Sequence, residues 1–516
     1  MIFGKLLKLK VSFIAGLLCV FSASWVFSEP SKTSSISTPD GPIEVTVESA
    51  ILIALENNQS LKVERLEPQI HKTFEDQEQA TFDPVLSGVA SFSREREQKR
   101  QTDSSTSYEN EGTSTEADIG VSQFLSTGTD IAVDLSTNNT WSDLYSDQSA
   151  SRIGLSVTQA LLRGKGTDVN LASLRQARLD TQASQYELRG FVEAMVSQVE
   201  ETYWDYALSQ RKIQIFQESL KVAEHQLRET EELIRVGKLP ETEITSAQAE
   251  IALQQQDLIN ARSTMLKIRL YLLRLLNPPG SNLWQREILL KNPPIVPEVT
   301  MDSVESHVEV ALRLRPDLNE ARLRVERGDL EVVKTKNGLL PKLDLFLTLG
   351  KSGYADSFGS SISDITGDYY NFSVGINVQY PFRNRDARAR HKRSLLSQDQ
   401  ATEAVNNLAN LVEMDVRTAY IEVNRAKDQI SATIATLKLQ EEKLRIETEK
   451  FRVGRSTMFL VAQAQRDLLI SQISEVQAVV NYLKAIVELH RLEGSLLERR
   501  GIIAPGREPG SVSSEK

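Results

Sequence analysis

A long stretch without proline, residues 169–235, constrains what this chain can fold into more than any other part of the sequence. Its apolar and small residues recur mostly three or four positions apart, the pattern of a coiled-coil seam. They are Val192, Val199, Tyr203, Tyr206, Ile213, Phe216, Leu220, Ala223, Leu227 and Ile234. A helix of this length extends roughly 100 Å, whereas the mean globular helix has about 11 to 12 residues. The stretch therefore predicts a rod that no compact domain encloses.

The chain also repeats itself. The segment VESAILIAL at Val47 recurs as VESHVEVAL at Val304, and IRVGK at Ile234 recurs as FRVGR at Phe451. Matching segments in the same order indicate an internal duplication. Each repeat predicts a helix, strands of alternating apolar and polar residues, a long helix, a tip turn and a returning helix.

The predicted segments follow from these patterns. They are a signal peptide (1–28), a polar linker (29–42), a first repeat (43–280), an equatorial linker (281–300), a second repeat (301–498) and a polar tail (499–516). In the first repeat we expect strands at about 83–93, 116–138 and 151–161, a long helix at about 169–235 and a returning helix at 240–277. In the second we expect strands at about 341–350 and 371–382, a long helix at about 387–452 and a returning helix at 456–498.

The amino terminus has the pattern of a secretory signal. Three lysines precede the apolar run 11–27, and small residues offer a cleavage site after Ser28. The alternative is an uncleaved anchor, but the run is shorter than the ~20 residues that span a bilayer. The single cysteine, Cys19, lies inside the run and follows Leu18 rather than the small residue of a lipoprotein signal. The mature chain is then expected to contain no disulfide.

The composition excludes several function classes. Net charge is −10 with 25% charged residues, which does not suggest a nucleic-acid binder. The five histidines are widely separated, without metal-ligand spacing, and no GK[ST] completes a phosphate loop after Gly164. The sequence therefore predicts neither an enzyme nor a cofactor or metal site.

Strands of about ten residues with one apolar face, in an exported chain, are typical of an outer-membrane barrel. One chain has too few strands to close a barrel, so we expect closure between chains of a cyclic oligomer. A soluble periplasmic coiled-coil protein with a small capping sheet is the alternative. Aromatic residues near the predicted strand ends favour membrane girdles: Phe92, Trp141, Tyr369, Tyr370, Tyr380 and Phe382.

The order and spacing of these segments resemble the TolC family of outer-membrane efflux proteins. The resemblance covers nearly the whole mature chain, including VTQALLRG followed by DVNLASLRQARL, and the tips RVGKLPETEITSAQAE and RVGRSTMFLVAQAQ. It implies a mainly α protein with a β-barrel part: a homotrimeric outer-membrane barrel continued by a periplasmic tunnel of twelve helices. It also implies a passive duct that meets a periplasmic membrane-fusion adaptor and an inner-membrane pump of the RND or ABC type. We expect small-molecule efflux; type I protein secretion and a non-pore structural coiled coil are the alternatives.

The resemblance also assigns roles to the tips. The docking residues it implies are Val236, Gly237, Lys238, Leu239, Val453, Gly454 and Arg455, and the gate residues are Glu243, Arg455, Ser456, Leu460 and Gln463. Two entrance aspartates of the best-known family pattern align here with Leu460 and Gln463. The expected entrance is therefore an apolar ring with weaker block by cations.

A basic run begins where the last strand enters the second long helix, with Arg383, Arg385 and Arg388. Positive charge in the first turns of a helix opposes the helix dipole. Contact with lipid phosphates of the outer membrane explains the run. A merely solvated helix face explains it equally well.

The strand region of the first repeat is longer than that of the second by about 37 residues. The extra residues contain a hairpin pattern, with Ile119 and Val121 facing Ile131 and Val133 across a Ser-Thr-Gly turn. A hairpin folded over the barrel mouth leaves twelve strands per trimer, whereas an inserted hairpin gives eighteen. The sequence leaves both open.

Overall fold

The structure is a computed structural model and describes residues 41–100, 107–142, 145–280, 282–296 and 301–503. The predicted signal peptide, nearly all of the first linker, and most of the polar tail lie outside these residues. Two helices of more than sixty residues run the length of the molecule, with the strands at one end and two tight turns at the other.

The helices are α1 (Val47–Asn57), α2 (Gln59–Glu64), α3 (Glu67–Gln79), α4 (Thr167–Asn170), α5 (Ala172–Arg235), α6 (Thr242–Leu276), α7 (Val304–Leu314), α8 (Pro316–Asn337), α9 (Phe358–Asp364), α10 (Arg385–Arg452), α11 (Met458–Leu492) and α12 (Leu496–Arg499). The strands are β1 (Ile43–Val45), β2 (Val85–Arg100), β3 (Ser107–Leu125), β4 (Thr129–Ser142), β5 (Tyr145–Ala160), β6 (Ile288–Leu290), β7 (Lys342–Ala355) and β8 (Tyr370–Gln379).

Shorter helices stacked end to end line each long helix. Helices α3 and α6 pack along α5, while α7, α8 and α11 pack along α10. Since α8 contacts both long helices and α11 contacts α5, the two repeats form one layer of side-by-side helices. Small and β-branched residues such as Val412, Val416 and Ala419 form the buried seam of α10 at helical spacing.

The duplication is visible in the helix caps. The Thr46 hydroxyl accepts a hydrogen bond from the Ser49 amide at 3.1 Å, and the Ser303 hydroxyl accepts one from the Ser306 amide at 3.3 Å. Each cap starts an eleven-residue helix, α1 or α7. Equivalent residues in the two repeats therefore fix the same backbone turn.

Six strands form one antiparallel sheet in the order β2-β3-β4-β5-β7-β8. The first two strands of this sheet run further than the sequence pattern indicated, since strands were expected only at about 83–93 and 116–138, whereas β2 continues to Arg100 and β3 begins at Ser107. Arg94 pairs with Glu111, and Arg96 pairs with Glu109 at 2.5 Å. Cross-strand ion pairs let a polar ribbon continue as a paired hairpin.

A small parallel sheet at mid-height did not follow from the sequence. Strand β1 pairs with β6, with Ile43 opposite Ile288 and Val45 opposite Leu290. The strands are only three residues long, too short to show an alternation against polar surroundings. They cover the largest buried cluster, where Tyr203, Leu273 and Leu276 pack.

Buried charges close this mid-height region. Both carboxylate oxygens of the fully buried Glu200 accept hydrogen bonds from Arg500. Oε1 accepts from Nε at 2.8 Å, and Oε2 accepts from Nη2 at 2.5 Å. The equally buried Glu493 is bound by Arg499 at 3.0 Å and by His307. The segment following α11 is therefore tied into the core at residues 493–500, which include the first two residues of the predicted polar tail (499–516).

Candidate functional sites

The six-stranded sheet has two chemically different faces. One register row reads Leu86, Val121, Val133, Leu155, Leu349 and Phe372 across all six strands. The neighbouring row on the opposite face reads Ser87, Gly120, Asp134, Gly154, Gly350 and Asn371. Because side chains alternate along a strand, one face is apolar and the other is small and polar. This is the pattern of a barrel wall with lipid on one side and water on the other.

Aromatic residues border the apolar face at both ends of the strands. Phe92, Trp141 and Tyr370 lie toward the outer end and Tyr380 and Phe382 toward the helices, all five exposed. Ten residues of strand separate Tyr370 from Tyr380, about 26 Å in height at a tilt of about 40°. That height matches an apolar band of about 25 Å. Tyr369, directly before β8, is also exposed.

The basic run lies just below this band. Arg383 precedes α10, while Arg385 and Arg388 lie in its first turn, and all three side chains are exposed. Asp386 in the same turn pairs with Arg390 at 3.0 Å. The run therefore presents three further cations at the helix start, next to the inner aromatic border.

The two tip turns have the same geometry. Gly237 and Gly454 have φ of 71° and 74°, a left-handed conformation that suits glycine. The Lys238 amide donates to the Leu233 carbonyl at 2.8 Å, and the Arg455 amide donates to the Lys450 carbonyl at 2.8 Å. These are Schellman turns, so the glycines account for the reversal of each long helix.

A small apolar core holds the two tips together. Ala247, Phe451, Met458 and Val461 are buried in it, and Leu239 packs partly buried against them. Leu239 thus has a structural contact that its position in the tip sequence did not reveal. By contrast, the side chains of Val236 and Val453 are 60% and 70% exposed, one at each tip.

The gate residues predicted from the sequence do not all share one environment. Glu243 accepts a hydrogen bond from the Met458 amide at 3.2 Å, so the first repeat's carboxylate binds the amino terminus of α11. Such contact with a helix start is favourable for an anion. Ser456 donates to Glu447 at 2.9 Å. Leu460 and Gln463 are exposed one turn apart on α11, and Arg455 is exposed in the turn.

Sequence reasoning missed Thr457 and Met458 at this site. Thr457 is the N-cap of α11, its hydroxyl accepting from the Leu460 amide at 3.4 Å. The sequence does contain a helix-start signal here, because Ser456 and Thr457 directly precede an apolar helical run. The partner of Glu243, a backbone amide more than two hundred residues away, had no sequence signal.

Comparison with known proteins identifies the family. The family model described as outer membrane efflux protein matches residues 130–278 and 308–495, one segment in each repeat. The chain belongs to the outer membrane efflux protein family. TolC of Vibrio cholerae serotype O1 is 21% identical over 356 residues, which cover 67% of this chain and 77% of that protein. Family membership places this efflux protein in the outer membrane.

Solved structures share the fold of this efflux protein. The outer-membrane channel OprN superimposes with a TM-score of 0.66 at 16% identity, covering 87% of this chain and 90% of that one. The CmeC outer membrane channel of Campylobacter jejuni gives a TM-score of 0.65 at 15% identity, covering 87% and 86%. The predicted fold class is confirmed: a mainly helical chain with a sheet part, built from two repeats.

The described part of the efflux protein shows no group of three or more His, Cys, Asp or Glu side chains placed to hold a metal ion. Among the helices within the described ranges, none is long and apolar enough to cross a membrane.

Proposed function

We propose that this protein is the passive outer-membrane exit duct of a tripartite efflux system and works as a homotrimer. The observation that carries the proposal is the sheet with one apolar and one polar face, continued by two helices of more than sixty residues. Lipid covers the apolar face, and solute moves past the polar face into and out of the helical tunnel. No covalent step is needed, because the energy comes from a pump in another membrane.

The tips are the surfaces for other components of the system. They lie farthest from the sheet, and each exposes a valine beside a rigid glycine turn. A periplasmic membrane-fusion adaptor binds there and connects the duct to an inner-membrane pump of the RND or ABC type. We propose small molecules as the cargo; the family description itself names efflux from the outer membrane and no cargo.

A deletion strain tests the cargo. Without the protein, cells should retain a fluorescent pump substrate and become more sensitive to toxic small molecules, and a plasmid copy should restore both. Loss of a secreted protein with unchanged drug sensitivity would instead indicate type I secretion. Unchanged retention, sensitivity and secretion would contradict the proposed role.

We propose that the entrance is closed by the tips, with Glu243 as a latch between repeats. Its carboxylate holds the α11 start within one chain, and the exposed Leu460 and Gln463 lie just beyond. Since no second carboxylate stands at those two positions, multivalent cations should block the channel only weakly. Replacement of Glu243 by Ala removes a cap worth about 1 kcal/mol, so the open fraction should rise several-fold.

Single-channel recording measures both effects. We expect the Glu243→Ala channel to open more often than the natural channel and to lose its weak block by multivalent cations. Glu241→Ala changes an exposed neighbouring carboxylate and serves as the control. Strong block that persists in Glu243→Ala would show that another group forms the entrance site.

We propose that Arg383, Arg385 and Arg388 contact phosphates at the inner surface of the outer membrane. Each basic residue near an anionic surface contributes about 1 kcal/mol. Substituting all three with Gln should therefore slow insertion markedly, measured as trimer recovered in outer-membrane fractions. Insertion of this variant at the normal rate and yield would favour a merely solvated helix face.

A further inference from the structure

We infer that three copies of this chain close an eighteen-stranded barrel, with the hairpin β3-β4 built into its wall. The inference rests on the proposed homotrimer. It concerns the width and charge of the pore, which the proposed function leaves open.

The first support is the pairing of the hairpin. Strand β4 pairs along its length with β5, from Thr129 opposite Gln159 to Ser142 opposite Tyr145. Strand β3 pairs on its other side with β2, from Ser122 opposite Val85 to Ser107 opposite Arg100. The hairpin thus separates β2 from β5, so the sheet has no continuous wall without it.

The second support is the continuity of both faces. Ile119, Val121, Val133 and Leu135 lie on the apolar face and are 41–51% exposed in the single chain. The row through Val121 and Val133 continues into Leu155, Leu349 and Phe372, and the row through Ile119 and Leu135 continues into Ile153 of β5. A hairpin folded over the mouth as a water-covered flap would have no reason to match the lipid face in register.

The third support is the anchoring of the hairpin turn. Gly128 has φ of 86°, and its carbonyl accepts from the Ala160 amide at 2.9 Å. The Asn170 side chain donates to the carbonyls of Ser126 at 3.1 Å and Gly164 at 2.8 Å. The turn is therefore fixed to the junction between β5 and the long helix, which is the periplasmic end of the sheet. Short turns at that end are the rule in outer-membrane barrels.

The two edge strands of the sheet, β2 and β8, are oriented so that identical copies can close a barrel. Six strands are fewer than the eight of the smallest barrels, so β2 and β8 remain as open edges. Strand β2 leaves the periplasmic end and β8 returns to it, so β8 of one copy and β2 of the next run antiparallel. Three copies with six strands each give a closed, even-numbered, all-antiparallel barrel.

The consequence is a wide, acidic pore. With strands 4.7–4.9 Å apart and tilted by about 40°, the backbone diameter rises from about 24 Å for twelve strands to about 36 Å for eighteen. The hairpin also brings Asp118, Asp130 and Asp134 to the polar face, where Arg152 of β5 is a cation nearby. Carboxylates lining a pore attract cations, so the barrel should favour cationic solutes.

Cysteine labelling in intact outer membranes tests the wall. Three single-cysteine variants in a Cys19→Ala background are compared: Val133→Cys on the apolar face of the hairpin, Leu155→Cys on the same row of β5, and Asp134→Cys on the opposite face. A lipid-phase maleimide should label Val133→Cys as fully as Leu155→Cys. Asp134→Cys should react only with a water-soluble maleimide.

The outcomes separate the two proposals. Lipid-phase labelling of Leu155→Cys alone would overturn the eighteen-stranded barrel and leave a twelve-stranded duct. Lipid-phase labelling of neither would overturn the membrane wall and the duct with it.

The acidic lumen is tested by ion selectivity. Asp118→Asn combined with Asp130→Asn and Asp134→Asn should lower the cation-to-anion permeability ratio several-fold, and an unchanged ratio would contradict the acidic lumen.

Discussion

Aspartate substitutions at Val236 and Val453 together should abolish transport and leave the trimer intact. Both side chains are largely exposed on Schellman turns at the far end of the helical rods. An adaptor that covers these turns would bury two unpaired carboxylates per chain. An unpaired buried charge costs several kcal/mol. Each 1.4 kcal/mol lowers the affinity for the adaptor about tenfold. Drug sensitivity of the variant should equal that of the deletion strain.

The control keeps the size of the side chains and leaves out the charge. Val236→Thr with Val453→Thr should retain most of the transport, and all variants should show the same amount of trimer on native gels. Leu239 is unsuitable for this test because it packs against the tip core. Normal transport by the double aspartate variant would exclude the two turns from adaptor docking.

Substitution of Arg500 by Leu should destabilise the mid-height region strongly. Arg500 is the bidentate partner of Glu200, whose side chain has no exposed surface. Removing one partner of a buried pair costs about 3–5 kcal/mol, and a loss of that size lowers the apparent unfolding temperature by roughly 5 °C or more. Circular dichroism of the purified protein measures it.

The loss should also depend on pH. Burial raises the pKa of the Glu200 carboxyl, while the hydrogen bond and charge of Arg500 act against that rise. When the pKa of a carboxyl is higher in the folded than in the unfolded protein, the free energy of unfolding falls as pH rises from about 4.5. Without Arg500 this loss grows, so the difference between Arg500→Leu and the natural protein should be larger at pH 8 than at pH 5.

Two further variants isolate the buried pair. Adding Glu200→Met to Arg500→Leu removes the stranded charge and should recover much of the stability. Arg425→Leu breaks an exposed pair with Glu422 on α10 and should change stability by no more than about 0.5 kcal/mol. Equal effects of Arg500→Leu and Arg425→Leu would contradict a structural role for the buried pair.

The sequence predicted the elements that are long and periodic. Helices α5 and α10, the duplicated start at Val47 and Val304, and the alternating strands β7 and β8 all carry their signal within a single segment. The resemblance of the tip sequences predicted which turns correspond, and the matched Schellman geometry at Gly237 and Gly454 agrees with it.

What the sequence left open depends on contacts between distant residues. The position of the hairpin is decided by pairing of β4 with β5, and an alternating pattern alone fits either a wall or a flap. Strands β1 and β6 are too short for a period to appear. Glu243 and Leu239 lie at the tips, but the Met458 amide that binds Glu243 and most of the buried residues around Leu239 lie in the other repeat, so local patterns did not reveal these contacts.

The most direct test of a passive duct is conductance of the purified full-length protein in a planar lipid bilayer. We expect stepwise currents without any nucleotide or proton gradient, with a higher open fraction in Glu243→Ala. Membrane-inserted trimers of both proteins that give no conductance steps would contradict a continuous path through the molecule and would leave a structural coiled coil in place of a channel.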